Sequence, residues 1–413
     1  MDPIESDAST ILTDYPASSA SRPSSASASS VASLSFILDR TNLLPLGAAT
    51  SACFEIRDTP TAGRAVFATK DIDANTLLWR SDDLTISSLL REYRREVCGQ
   101  CFGYNYGRDL SIQDHTVGFA FCSRECQEAW QQEAGEVGIQ AWAEVKKFVS
   151  KKSKRDDEMV DINMARPSEN EIAQAWDGTK KQAALIRTLR MSTVELMDDA
   201  RNGDGPQPLT AKGNTSRPIT KQHAKAVQKA LQQPVQADIM GYCVGGIIAQ
   251  YETPQKWEHL LSLAVDSTPY SSAGDLAAFT RTYLQLLAIL PLPLLPFITP
   301  ESLFLLSSRD SHNAFGIRSL EDEGSELFGF GCWPAASYFN HSCDPNVEKK
   351  RVGRAWEFRA ANAIVKGGEL CITYLGGEER KLSREARMLT LKRNWGFECQ
   401  CKRCEEQGGM KTV

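Results

Sequence analysis

The chain has 413 residues, 42% of them hydrophobic and 24% charged, and a formal net charge of −5. That length fits roughly two to three domains or one large elaborated one, and the mild acidity argues against a protein whose main task is gripping phosphate backbones. The longest apolar run, Leu284 to Ile298, is interrupted by Pro291, Pro293 and Pro296 and falls short of the ~20 residues of a spanning helix, so no transmembrane segment is expected.

Twelve cysteines accompany only five histidines. The opening MDPIESDAST has no apolar stretch of the kind a secretory signal needs. In a chain read as non-secreted, clustered cysteines are metal-ligand candidates before they are disulfides.

Residues 1–35 are dominated by Ser and Ala, and the tail is expected to be disordered to about residue 50. CFEIRD, RAVFAT and TLLWR then read as short strands separated by the turn-like TPTAG and KDIDAN. Four cysteines fall within 98–126. After them Trp130, Val137, Ala141 and Val145 recur at helical spacing. A basic cluster follows (Lys146, Lys147, Lys151, Lys152, Lys154 and Arg155), read as a solvated helix end rather than an anionic docking patch. Residues 168–200 read as helix, 201–222 as an exposed loop, and helical patterns resume from Lys221 to about Leu290. From Ala314 strands return in WEFRAANAIV and ELCITYL, closing on the amphipathic helix EERKLSREARMLTLKRNW. Two strand-rich ends around a helical middle predict an α+β fold: one β-rich domain split by an insert of about 127–311.

The first cysteine set is Cys98-x2-Cys101 followed by Cys122-x3-Cys126, two short pairs that can supply four thiolates to a tetrahedral zinc. His115 lies between the pairs and reads as a loop histidine. The second set, Cys399-x-Cys401-x2-Cys404, offers three ligands. Cys343 in NHSCDPN is the best distant fourth. Two structural zinc ions are therefore expected, and the remaining cysteines (Cys53, Cys243, Cys332 and Cys371) read as isolated thiols. Eight bound thiolates and two Zn²⁺ would move the formal charge from −5 to about −9.

YFNHSCDPN, then GGELCITY, then NWGFECQCKRC, together with AGRAVFATKDI near the start, resemble the SET-domain protein lysine methyltransferases. FCSRECQEAW within a four-cysteine unit resembles a MYND zinc finger, so the whole is similar to the SET-and-MYND (SMYD-like) methyltransferases. The resemblance covers 50–126 and 312–404. It implies a SET domain in two parts (51–97 and 312–396), a MYND-like finger at 98–126 and a post-SET segment at 397–413. The finger is expected to be reduced to a single zinc, because no His-x3-Cys follows Trp130. The chain stops at Val413, which resembles the branch without a C-terminal helical-repeat domain.

The resemblance further implies S-adenosylmethionine as cofactor, with Gly63, Arg64, Asn313, Asn340, His341 and Phe397 around it. Tyr374 would be the catalytic tyrosine, and Tyr338 and Trp395 would belong to the substrate channel. Trp395 stands where relatives carry a second channel tyrosine, and Ala65 where many carry glycine. Apart from the resemblance, Tyr374 reads as a core tyrosine with a satisfied hydroxyl, and Asn340 and His341 as a cap and a buried polar pair. The expected activity is methylation of a lysine in a basic protein such as a histone tail, by a monomer in the nucleus or cytoplasm that needs neither nucleic acid nor membrane. The acidic run Glu321, Asp322, Glu323 and Glu326 is a candidate docking site for such a substrate. The rival reading is an inactive SET and zinc scaffold for protein interactions.

Overall fold

The computed structural model describes residues 46–60, 62–152, 165–201, 219–320 and 326–409. The Ser/Ala-rich tail, Lys154, Arg155, most of the 201–222 loop, and Glu321, Asp322 and Glu323 lie outside those residues. In chain order the first strands are β1 (Phe54–Thr59), β2 (Gly63–Ala68), β3 (Leu77–Ser81), β4 (Ile86–Leu89), β5 (Ile112–Asp114) and β6 (Phe119–Phe121). The helical middle follows as α1 (Arg124–Ser150), α2 (Glu169–Arg201), α3 (Lys221–Gln232), α4 (Ala237–Glu252), α5 (Pro254–Leu261), α6 (Ala273–Ile289) and α7 (Pro300–Asn313). The C-terminal third holds β7 (Ala314–Arg318), β8 (Leu327–Cys332), β9 (Asn340–His341), β10 (Val347–Val352), β11 (Ala355–Ala360), β12 (Cys371–Ile372), α8 (Arg384–Trp395) and α9 (Lys402–Gly409).

The split domain expected from the sequence is visible in the strand pairing. N-terminal β3 joins C-terminal β10 and β11 in the order β10-β11-β3, and N-terminal β4 joins β8 and β7 in the order β4-β8-β7. Neither sheet could form from one end of the chain alone. β4 packs so closely on β8 that a Cβ built on Gly329 would lie 2.1 Å from the Ser88 carbonyl oxygen, so only glycine fits there. β1 and β2 form a hairpin with Thr59 opposite Gly63, and β9 runs parallel to β12 with Asn340 beside Cys371 and His341 beside Ile372.

The insert is bound to the sheets through a nearly all-round apolar helix. α4 buries Met240, Tyr242, Cys243, Val244 and Ile247, and it packs against β4, α1 and α6. α1 starts at Ser123, whose Oγ accepts from the Cys126 amide at 3.3 Å. It breaks at Gly135, which has φ +65°. Part of the basic cluster turns out to be structural: Lys152 Nζ donates to the carbonyls of Leu231 (2.6 Å) and Gln233 (3.2 Å) at the end of α3. Among the described residues no helix is long and apolar enough to cross a membrane.

Candidate active site and metal centres

Both cysteine sets converge. The sulfurs of Cys98, Cys101, Cys122 and Cys126 lie within 4.8 Å of one another, and so do those of Cys343, Cys399, Cys401 and Cys404. All eight are free thiols. Tetrahedral zinc with ~2.3 Å bonds places its sulfurs about 3.8 Å apart. The structure gives 3.5 Å for Cys101–Cys122 and Cys122–Cys126, 3.9 Å for Cys343–Cys399 and 3.5 Å for Cys404–Cys343. The residues present therefore fit one zinc in each set. His115 is exposed on the β5–β6 turn and belongs to neither.

The first set is assembled by the β5–β6 hairpin and the start of α1, which brings Cys126 one turn below Cys122. A hydrogen bond from Cys101 holds the Cys98 thiol down to about 5, against the opposing effect of burial. The second set rests on an arginine the sequence did not single out. Arg387 is 1% exposed on the inner face of α8. Its guanidinium donates to the Leu382 carbonyl (2.7 Å) and Gln407 Oε1 (2.8 Å), and reaches Cys404 Sγ at 3.8 Å. Four thiolates around one Zn²⁺ leave a net −2, and a buried arginine offsets part of it.

His341 links this centre to Tyr374. Its Nδ1 accepts from the Tyr374 amide at 3.0 Å, so Nε2 carries the proton, and Nε2 lies 3.3 Å from Cys343 Sγ. Burial, with Lys349 and Arg387 nearby, holds the imidazole down to about 3, so the ring is neutral. Tyr374 donates its hydroxyl to the Phe339 carbonyl at 3.0 Å. Its ring meets those of Trp395 at 5.4 Å and Phe397 at 6.2 Å, and His341 meets Phe397 at 5.9 Å. Burial pushes the Tyr374 hydroxyl well above its ordinary value, so it stays protonated.

Asn340 ties β2 to this group. Its amide donates to the Arg64 carbonyl at 3.2 Å and to Glu369 Oε1 at 3.3 Å. Asn346, unremarked in the sequence, pins the other side by donating to the Glu369 carbonyl (2.8 Å) and accepting from the Cys371 amide (2.9 Å). Gly63 has φ +66° and nothing within 4 Å of its Cβ position, which leaves the backbone beside Arg64 approachable. The open backbone at Gly63 and the partly buried rings of Tyr374 and Phe397 are surfaces that fit S-adenosylmethionine, the cofactor of SET methyltransferases.

Three of the expected site residues are partly engaged elsewhere. The Arg64 guanidinium donates to the Ser262 carbonyl (2.8 Å) and the Tyr338 hydroxyl (3.3 Å) and lies 4.9 Å over the Tyr338 ring. Tyr338 is buried in that stack and does not line the cavity in front of Tyr374. Asn313 does line the cavity, but its amide nitrogen is held by the carbonyls of Arg309 (2.7 Å) and Ala264 (3.1 Å).

The cavity itself measures about 260 Å³. Its lining includes Tyr374, Trp395, Ser337, Phe339, Phe315, Trp356, Lys349, Arg318, Glu379 and Asp310. Of the acidic run, Glu326 is described, and its carboxylate is hydrogen-bonded to Tyr104 rather than turned to this cavity.

Comparison with known proteins agrees with the geometry. The SET domain family model matches residues 63–375. The chain is similar to the potential protein lysine methyltransferase SET6 of Saccharomyces cerevisiae, 26% identical over 393 residues, covering 86% of this chain and 96% of that protein. It is 32% identical over 168 residues to the histone-lysine N-methyltransferase ASHR2 of Arabidopsis thaliana, 37% of this chain and 41% of that one. It is 39% identical over 95 residues to the histone-lysine N-methyltransferase SMYD3 of Mus musculus, 23% of this chain and 21% of that one. With the paired N- and C-terminal strands and the Asn340–Cys343 segment set against Tyr374, the match places the chain in the SET-domain family of protein lysine methyltransferases.

Proposed function

We propose that this chain methylates an exposed lysine of a protein substrate in the cavity before Tyr374, using S-adenosylmethionine held by Gly63, Asn340, His341 and Phe397. The observation that carries the reading is the Tyr374 hydroxyl fixed at 3.0 Å to the Phe339 carbonyl at the cavity wall. The cofactor supplies an electrophilic methyl group when bound. What the chain must supply is a neutral, aligned amine. A free lysine amine has a pKa near ~10.4, so at pH 7 it is almost wholly charged. A wall of Trp395, Phe339 and Tyr374 excludes water and disfavours the charged form. Because the Tyr374 hydroxyl donates to Phe339, its lone pairs are left to accept an N–H from the amine and orient it. No strong base is required for that task.

The two cysteine sets serve as structural zinc sites in this reading, and 98–126 is a reduced MYND-like finger. A histone tail is the substrate class that the names of ASHR2 and SMYD3 suggest. The enzyme would act as a monomer in the nucleus or the cytoplasm. Calorimetry with S-adenosylmethionine, paired with turnover on lysine peptides, tests the reading. Binding with lysine-dependent turnover supports it, and absence of binding refutes it.

A further inference from the structure

The cavity before Tyr374 contains an amine of this chain's own. On β10 the inward face reads Val347, Lys349 and Arg351, alternating with exposed Glu348, Lys350 and Val352. Lys349 is only partly buried and lines the same cavity as Tyr374, Trp395 and Phe339. Its Nζ lies 5.1 Å from the Phe315 ring and 5.8 Å from the Trp356 ring, so it sits against two aromatic faces.

The pairing of β10 with β11 brings that residue to the transfer centre. Lys349 stands opposite Phe358, and the side chains of paired residues share a face. The Phe358 ring stacks on Phe339 at 4.5 Å. Phe339 in turn offers the carbonyl that takes the Tyr374 hydroxyl at 3.0 Å. Two neighbours therefore separate Lys349 from the residue assigned to orient a substrate amine. The Lys349 charge is also felt at His341, whose ring lies 5.4 Å from that of Tyr374.

An amine in this place has the chemistry of a methyl acceptor. Burial, with Arg318 and Arg380 nearby, holds Lys349 down to about 8, so about half of it is neutral at that pH, whereas a free lysine near ~10.4 is almost wholly charged. Its flexible four-carbon stem lets Nζ leave the ring pair while β10 stays in place. An acceptor tethered inside the cavity needs no binding step to deliver it. The product suits the site as well: a methylated ammonium keeps its charge and gains apolar surface, the kind of group that aromatic faces hold.

We propose that Lys349 is a modification site: the chain methylates it in cis, with S-adenosylmethionine as donor and Tyr374 as the orienting hydroxyl. The ammonium first releases a proton to water. The Nζ lone pair then forms the N–C bond while the C–S bond of the sulfonium breaks. The electron pair of that bond stays on sulfur, which leaves S-adenosylhomocysteine and a methylammonium on Lys349. The inference rests on the lysine-methylation reading above, and the test separates the two.

The full chain is incubated with labelled S-adenosylmethionine, first alone and then with a lysine peptide, and the chain is mapped by peptide mass spectrometry. The expected result is methyl on Lys349, at a rate per chain unchanged within twofold over a tenfold range of chain concentration. Lys349→Arg should lower the label on the chain at least tenfold, and Tyr374→Phe should do the same. A second readout needs no cofactor: acetic anhydride should acetylate Lys349 in the cofactor-free chain, since this residue lines the open cavity. Methyl absent from Lys349 while the peptide is methylated overturns the inference and leaves methylation standing. So does label on Lys349 whose rate per chain rises with chain concentration, which marks transfer between chains, or a Lys349 that the anhydride leaves unmodified. No label on chain or peptide overturns the methylation reading itself, and this inference with it.

Discussion

Replacing Cys401 by serine tests whether the C-terminal metal centre holds the active site together. The centre joins Cys343, two residues after His341, to Cys399, 56 positions later in the chain. Closing a loop of that size costs an unfolded chain about 4 kcal/mol of entropy, treating the metal bridge as a cross-link. The main apolar anchor of the segment on the α8 side is Leu391, which is fully buried. Burial of one leucine contributes about 2 kcal/mol. The bridge is therefore worth more than the contact that would remain, and without it Trp395 and Phe397 should leave Tyr374 and His341. Cys401→Ser should reduce bound zinc from two ions per chain to one, raise the S-adenosylmethionine Kd at least tenfold and speed proteolysis between Leu375 and Arg384. Elemental analysis, calorimetry and limited digestion read the three effects. Two zincs retained, or one zinc lost with an unchanged Kd, would refute the reasoning.

Tyr374→Phe should lower kcat about 100-fold with a change of less than threefold in cofactor affinity, because an aligning hydroxyl is lost while the rings stay in place. Leaving the Phe339 carbonyl without its partner should cost about 1 kcal/mol of stability, seen as a small fall in Tm. Arg387→Met should weaken zinc retention against a chelator about 10- to 100-fold without touching a ligand, and Arg387→Lys should restore part of it; equal retention in all three proteins would show that the arginine only packs.

The sequence made the metal centres legible because ligand chemistry is written in residue type and spacing. Two short cysteine pairs, and three cysteines lacking one, have few other uses. The strand-rich ends and helical middle were legible from periodicity, and β7 begins at Ala314 where the strand pattern returns. Tyr374, Asn340 and His341 were assigned by resemblance, since alone each has an ordinary structural role. What stayed hidden depends on tertiary placement. Lys349 is one of a pair of lysines in a strand, and only the β10 register turns it inward. Arg387 shares a helix face with Leu391 and Asn394, a charged residue on a buried stripe, but its partners come from two other segments, Leu382 before α8 and Cys404 and Gln407 in α9. Tyr338 and Arg64 were assigned to different surfaces and are stacked on each other, a contact between positions 274 apart in the chain. The acidic run was expected to attract a basic peptide, and Glu321, Asp322 and Glu323 lie outside the described residues.

The central claim is methyl transfer to a protein lysine at Tyr374, and the most direct measurement is transfer of label from S-adenosylmethionine. Purified chain is incubated with labelled cofactor and cell extract, and the labelled residue is identified. The account predicts label on lysine side chains, lost with Tyr374→Phe. Label that is absent, or that reaches lysine equally with wild type and Tyr374→Phe, would contradict it.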